Sequence, residues 1–242
     1  MTFNDTTDKL GLIQDCETVL GMADADISGD ATTLKVFTRL INAWYRRVNS
    51  WVWESTGTWE YDDSKHTDLP IATSNLVAAQ QDYEIPSTAQ KIDRVEILDS
   101  NGNYAVLKQI DKSQIGDMSM SEYMETNGMP GEYDLVGRSL LLYPAPAAAN
   151  VTTTKGLKIY FTRDIDEFVH GDTTDEPGFV NNFHRILSLG ASYDYAASYN
   201  MPQKLTYLKG QINELVEELK SFYGTRNRDM KTRISPKRRN YE

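Results

Sequence analysis

The sequence predicts an α+β fold: a helical bundle from N- and C-terminal helices with an antiparallel β module inserted between them. Apolar residues recur at helical steps towards both ends of the chain, while the middle shows two-residue alternation punctuated by turn residues. The expected parts are 1–56 with 178–224 as the helical bundle domain, 57–177 as the inserted β domain, and 225–242 as a basic C-terminal arm, disordered when free.

A short first helix is expected over 8–21, with Thr6 or Thr7 as its cap. Leu34, Phe37, Ile41, Trp44, Val48 and Trp51 then alternate steps of three and four, which lays one apolar stripe along a second helix. A third helix over 183–199 carries Gly190, Ala191, Ala196 and Ala197, small enough to let a neighbour approach closely. Leu205, Leu208, Ile212, Leu215, Leu219 and Phe222 repeat the rhythm in a fourth, with Pro202 at its first position and Gly224 at its stop. Between these, Val95 and Ile97 alternate with Arg94 and Glu96 ahead of the hairpin signal Asn101-Gly102. Leu140 and Leu142 follow a turn at Gly137, and Leu157, Ile159 and Phe161 alternate with Lys158, Tyr160 and Thr162.

Charge is segregated. The chain has 25 Lys and Arg against 35 Asp and Glu. Seven of the basic residues and two of the acidic ones lie from Thr225 onward, so the arm carries +5 and residues 1–224 carry −15. A body this acidic repels nucleic acid and anionic membrane. Cys16 is the lone cysteine, which fits assembly in a reducing cytoplasm. The polar N-terminus reads as no signal peptide, and no apolar run approaches the ~18–20 residues of a membrane span, so no membrane role is expected.

Three stretches invite a site. DADISGDATTLK (24–35) starts like a calcium loop, with Asp24, Asp26, Ser28 and Gly29 in ligand and turn positions. Its twelfth position is Lys35 where a bidentate Glu is required, so it reads as a polar connection with Ser28 or Asp30 as an N-cap. WYRRVNSWVWESTGTW (44–59) gathers four tryptophans beside Arg46 and Arg47, a composition that can stack bases. Trp44 and Trp51 fall on the apolar stripe, however, and Trp53 and Trp59 suit a junction or a subunit contact. DIDEFVHGDTTDEP (164–177) has six carboxylates and His170 without metal-ligand spacing, and reads as a solvated loop leading into the third helix. No catalytic motif, cofactor signature or metal site is expected.

Three segments, in order, resemble head-to-tail adaptor (connector) proteins of tailed bacteriophages, most closely those of short-tailed phages. QQDYEIPSTAQKIDRVEILDSNGN (80–103) is similar to their tyrosine–proline–strand segment. GMPGEYDLVGRSLLLYPAPAA (128–148) is similar to their Gly-x-Pro, glycine-turn and leucine-strand segment. LKIYFTRDIDEFVHGDTTDEPGFVNNFHRILSLGASYDYA (157–196) is similar to their final strand, acidic loop and Ala-rich helix.

The resemblance implies a structural virion protein, not an enzyme, assembled in the host cytoplasm and placed at the head–tail interface. Its implied partners are the portal protein, a tail nozzle or next tail component, and neighbouring copies in a dodecameric ring. Packaged DNA would pass through the channel without sequence-specific binding. The expected portal-binding residues are Arg226, Arg228, Lys231, Arg233, Ile234, Lys237, Arg238, Arg239 and Tyr241 in the arm. Asn101, Gly102 and Gly137 are the expected tail-facing hairpin tips, together at one end of the β module. The rival reading is a β-module enzyme or sugar-binding protein that uses the acidic loop 164–176.

Overall fold

The computed structural model describes residues 1–56, 70–110 and 126–226. The chain divides into two compact units, Met1–His66 with Ile165–Glu242 and Thr67–Asp164. The first is built of helices and the second of strands, so the fold is α+β.

The helical unit contains α1 (Leu12–Leu20), α2 (Ala31–Thr56), a 3-10 turn (Asn181–Phe183), α3 (Arg185–Ser198) and α4 (Pro202–Arg226). α3 packs against the other three helices. Its residues Ile186 to Ser192 are buried in unbroken succession, as befits a helix enclosed by partners rather than lying on a surface. Enclosure is possible because α3 is thin at the tightest crossing: a Cβ on Gly190 would sit 2.1 Å from the Trp44 indole. Ala191 and Ala196 are buried as expected, whereas Ala197 is exposed. The α2 stripe faces this core; Leu34, Phe37, Ile41, Trp44 and Val48 are buried and Trp51 is half-buried. Each such aliphatic or aromatic side chain contributes on the order of 1.5–3 kcal/mol of burial.

Several helix ends differ from expectation. α1 begins at Leu12, and neither Thr6 nor Thr7 caps it. Its N-cap is Gly11, where a Cβ would meet Gln14 Oε1 at 2.3 Å and the Asp5 nitrogen at 2.5 Å. The Asp5 carboxylate instead accepts from the Thr7 and Asp8 amides, each at 3.0 Å, which folds 5–10 into a turn of its own. Asp30 does cap α2, accepting from Thr33 N–H at 2.9 Å. α4 starts at Pro202 as expected but runs through Gly224 to Arg226. The stripe drifts by one residue at its end, so Tyr223 is buried and Phe222 is 40% exposed. The Tyr223 hydroxyl accepts from Val180 N–H at 3.3 Å, which holds the last turn in place. The helical unit also resumes at Ile165, ahead of the expected residue 178, because Ile165 and Phe168 lie in its core. Phe168 stacks on Phe3 at 4.8 Å.

The strands of the second unit, among the described residues, are β1 (Ile71–Ser74), β2 (Asp82–Glu84), β3 (Ala89–Leu98), β4 (Tyr104–Val106), β5 (Lys108–Gln109), β6 (Asn127–Gly128), β7 (Glu132–Val136), β8 (Ser139–Tyr143), β9 (Ala145–Pro146) and β10 (Leu157–Arg163). They form two four-stranded sheets, in the orders β1-β10-β3-β4 and β2-β8-β7-β5, and a two-stranded sheet of β6 and β9. Pairing is antiparallel except for two short parallel ladders, β5 with β7 and β6 with β9. Val95, Ile97, Leu157 and Ile159 from one sheet share a core with Tyr83, Tyr133, Leu140 and Leu142 from the other. Alternation thus decides most of the inner-face positions, with three departures. Tyr143, expected outward, is buried, as is Asp134 beside the inward Tyr133. Glu96, also expected outward, is buried and takes a 2.6 Å hydrogen bond from Arg94 Nε.

Strand direction fixes where the turns lie. β3 starts at Ala89, whose N–H donates to Pro86 O, and Ile85 N–H donates to Arg138 O beside the Gly137 turn. β3 then runs its full length, about 30 Å for ten residues of strand, to the turn at Asn101-Gly102. The two turns therefore stand at opposite ends of the unit, not together at one end. Asp164, where the unit ends, donates its N–H to Thr88 O and so lies at the Gly137 end.

Candidate functional site

Both glycines at the hairpin tips have the backbone that turns of this kind require. Gly102 has φ 85° and Gly137 has φ 62°, in the left-handed region that side chains disfavour. The first tip is the better braced. Asp99 Oδ1 accepts from the Asn101 and Asn103 amides, each at 2.8 Å. Those hydrogen bonds hold the Asp99 carboxyl below its usual range, with the Asn103 amide the largest cause. Asp99 also bridges to Val151, and Ser100 N–H donates to Asn150 O at 3.1 Å, so the 147–151 loop stands beside the tip. Tyr104 and Val106, just behind it, are exposed. The Gly137 tip shows exposed Val136 and has open space around its glycine.

Of the arm residues expected to meet the portal, Arg228, Lys231, Arg233, Ile234, Lys237, Arg238, Arg239 and Tyr241 lie outside the described residues, and Arg226 is the last residue of α4. The arm thus leaves from a helix end fixed by Tyr223 and by a 2.8 Å ion pair between Lys220 and Glu54.

The other candidates resolve into structural roles. In 24–35, Asp24 pairs with Lys9 at 2.9 Å, Asp26 accepts from Ala23 N–H at 2.8 Å, and Asp30 caps α2. The Glu17 carboxylate, buried, takes the amides of Ile27 and Ser28 at 2.9 and 2.8 Å. The connection is a knot of loop hydrogen bonds closed by Glu17, a residue the sequence pattern did not single out. Trp44 gives its indole N–H to Asp194 Oδ2 at 2.8 Å and meets Trp51 edge-on at 6.1 Å. Trp53 is half-buried, and Trp59 lies outside the described residues.

The acidic stretch 164–177 is dispersed rather than convergent. Asp164 accepts from Gln90 Nε2 at 2.5 Å, Glu167 pairs with Arg46, and Asp172 Oδ2 accepts from Val169 N–H at 2.6 Å. Asn42 pins the stretch by a reciprocal pair with the Phe168 backbone, at 2.9 and 3.0 Å. His184 is buried, with Nε2 2.7 Å from Phe179 O, while His170 is exposed. Among the described residues no group of three His, Cys, Asp or Glu side chains gathers to hold a metal ion. None of their helices is long and apolar enough to cross a membrane.

One surface was missed by the sequence reading. An open groove of about 480 Å³ runs along α2, lined by Lys35, Arg39, Ala43 and Arg46 and walled by 167–170. From Ala31 to Trp53, α2 has four cations and no acidic residue. That run of one sign in an acidic body was legible as a stripe.

A family model described as SU10 adaptor protein matches residues 7–238, almost the whole chain. The chain belongs to the SU10 adaptor protein family. It is therefore a structural adaptor of a bacteriophage and a component of the virion. Among curated proteins, none matches the chain.

Proposed function

We propose that this adaptor forms a homo-oligomeric ring, dodecameric in the family's manner, that docks beneath the portal of a short-tailed phage, extends the DNA channel and carries the next tail component. The family match over 7–238 carries the reading. Charge supports it: a wall of −15 per copy lets DNA pass without holding it, while the +5 arm is free to seek carboxylates on a protein partner. Arms of this kind order on their partner, and repetition around a ring multiplies weak single contacts. Arg226 to Tyr241 thus remain the proposed portal anchor.

The strand topology supports a choice between the two tips. Only one of the two turns can point away from the chain's exit at Asp164, and that is Asn101-Gly102 with its neighbour loop 147–151. We assign the tail contact to this end, and Gly137 drops out of it. The protein acts by assembly and turns nothing over; the carboxylates of Asp164, Glu167 and Asp172 serve the fold.

Electron microscopy and mass measurement of the full chain, alone and mixed with its portal protein, test the proposal. Rings on the portal are expected. A chain that stays monomeric and never joins the portal refutes it, and loss of a measured catalytic activity on converting Asp166, Glu167 and Asp172 to amides would favour the enzyme instead.

A further inference from the structure

A closed ring needs a head-to-tail interface, in which two different surfaces of one chain match each other. The helical unit has such a pair. One is the outer face of α2, where Lys35, Arg39, Arg46 and Arg47 are exposed around the small residue Ala43. The other is the outer face of α4, where Tyr207, Gly210, Glu214 and Glu217 recur at three- and four-residue steps and are all exposed. Each face is a strip of one charge with a small residue near its middle.

Gly210 is the feature that the isolated chain leaves unexplained. It sits within a 25-residue helix, and a Cβ there would meet nothing within 4 Å. An interior helical glycine costs roughly 0.5–1 kcal/mol relative to alanine, and no contact among the described residues asks for it. Gly190, by contrast, is demanded by Trp44. Tyr207, 63% exposed, stands one turn away with its hydroxyl taking a 2.8 Å hydrogen bond from Gln211 Nε2.

We propose that the α4 face of one copy packs along the α2 face of the next, Gly210 against Ala43, with Glu214 and Glu217 meeting Lys35 and Arg39 and Tyr207 entering the groove. The proposal rests on the ring reading above and names its contact. The small residues let the two helices approach to about 10 Å between axes, the spacing of packed helices. The occupant is a second copy because the complementary face is on the chain itself. In an otherwise acidic body, like charges keep wrong faces apart.

Cross-linking on the portal tests it. Ala43→Cys and Gly210→Cys variants are oxidised singly and as a mixture; Cys16, fully buried, does not compete. Facing positions at this helix spacing bring Cα atoms within the ~4.4–6.8 Å that a disulfide spans. The mixture is expected to give a dimer, the double variant a ladder, and each single variant neither. Charge reversal supplies the second arm. Lys35→Glu/Arg39→Glu and Glu214→Lys/Glu217→Lys are each expected to lower assembly by roughly tenfold or more. Mixed together, they restore it, since each reversed face then meets its opposite. If wild type assembles but no cross-link forms, this contact is wrong and the ring stands. If wild type does not assemble, both fall. If the α2 reversal abolishes binding to duplex DNA and leaves assembly intact, the α2 face is a phosphate surface and the proposal is overturned.

Discussion

Gly190→Ala adds one methyl group where the helical core has least room for it. The new carbon would lie 2.1 Å from one Trp44 ring atom and 2.5 Å from two others. Ordinary carbon contacts are about 3.5–4.0 Å, so the indole or the α3 backbone must move by more than roughly 1 Å. Trp44 has little freedom to do so: it is 6% exposed, it donates to Asp194 at 2.8 Å, and it meets Trp51 at 6.1 Å. Overpacking of this kind costs about 1–3 kcal/mol, and losing the indole hydrogen bond adds about 1 kcal/mol. Alanine returns about 0.5–1 kcal/mol of helix propensity. The net expectation is destabilisation by about 2 kcal/mol, or a fall in Tm of about 4–8 °C for a chain of this size. Gly210→Ala is the control, because the same methyl enters open solvent. It should raise Tm by about 1–4 °C. Circular dichroism melts of both variants decide it. If Gly190→Ala melts at or above wild type, the close α2–α3 crossing is wrong.

His184 gives a pH dependence. Burial, foremost, and the nearby N-terminal amino group hold its pKa below 6.5, so the folded chain favours neutral imidazole. A lowered folded pKa means its stabilisation is complete above the unfolded value and is lost as pH falls below about 6.5; His184→Gln should remove that part of the acid slope in urea titrations. Gly102→Val forces a branched side chain to φ 85° and costs on the order of 1–3 kcal/mol locally. It should weaken tail attachment and spare portal docking, whereas equal loss at both ends counts against the assignment of that tip. Truncation after Arg226 should leave Tm within about 1 °C, since the buried residues of α4 end at Tyr223, and should abolish stable portal docking. A large drop in Tm would make the arm part of the fold.

Periodicity was informative wherever one face of an element meets a core. The stripe of α2 and the inward residues of β8 and β10 could be read directly, because a period of 3.6 or 2 has no other physical cause there. Helix ends were less legible. The Gly11 cap of α1 depends on the Asp5 turn and on Gln14, and the extension of α4 past Gly224 depends on Val180, which is distant in sequence. Glu17 was passed over and Glu96 misplaced for a related reason. A buried carboxylate is stabilised by partners that folding supplies, the Ile27 and Ser28 amides for one and Arg94 for the other.

The placement of the two hairpin tips shows what a sequence pattern leaves out. Asn101-Gly102 and Gly137 are equivalent as turn signals, and nothing local tells which way each points. The answer comes from the parallel ladder between β5 and β7, with Lys108 opposite Glu132, which sets the second sheet's direction against the first. β4 runs away from the Asn101 turn, and β5 continues from it after one residue. Because β7 runs alongside β5, its turn at Gly137 must come out at the other end. Parallel pairing demands no tight turn and leaves no turn signature. In the assignment made above, the end holding Asp99, Asn101 and Gly102 faces the tail, and the end holding Gly137 and Asp164 is the one at which the chain leaves the β unit.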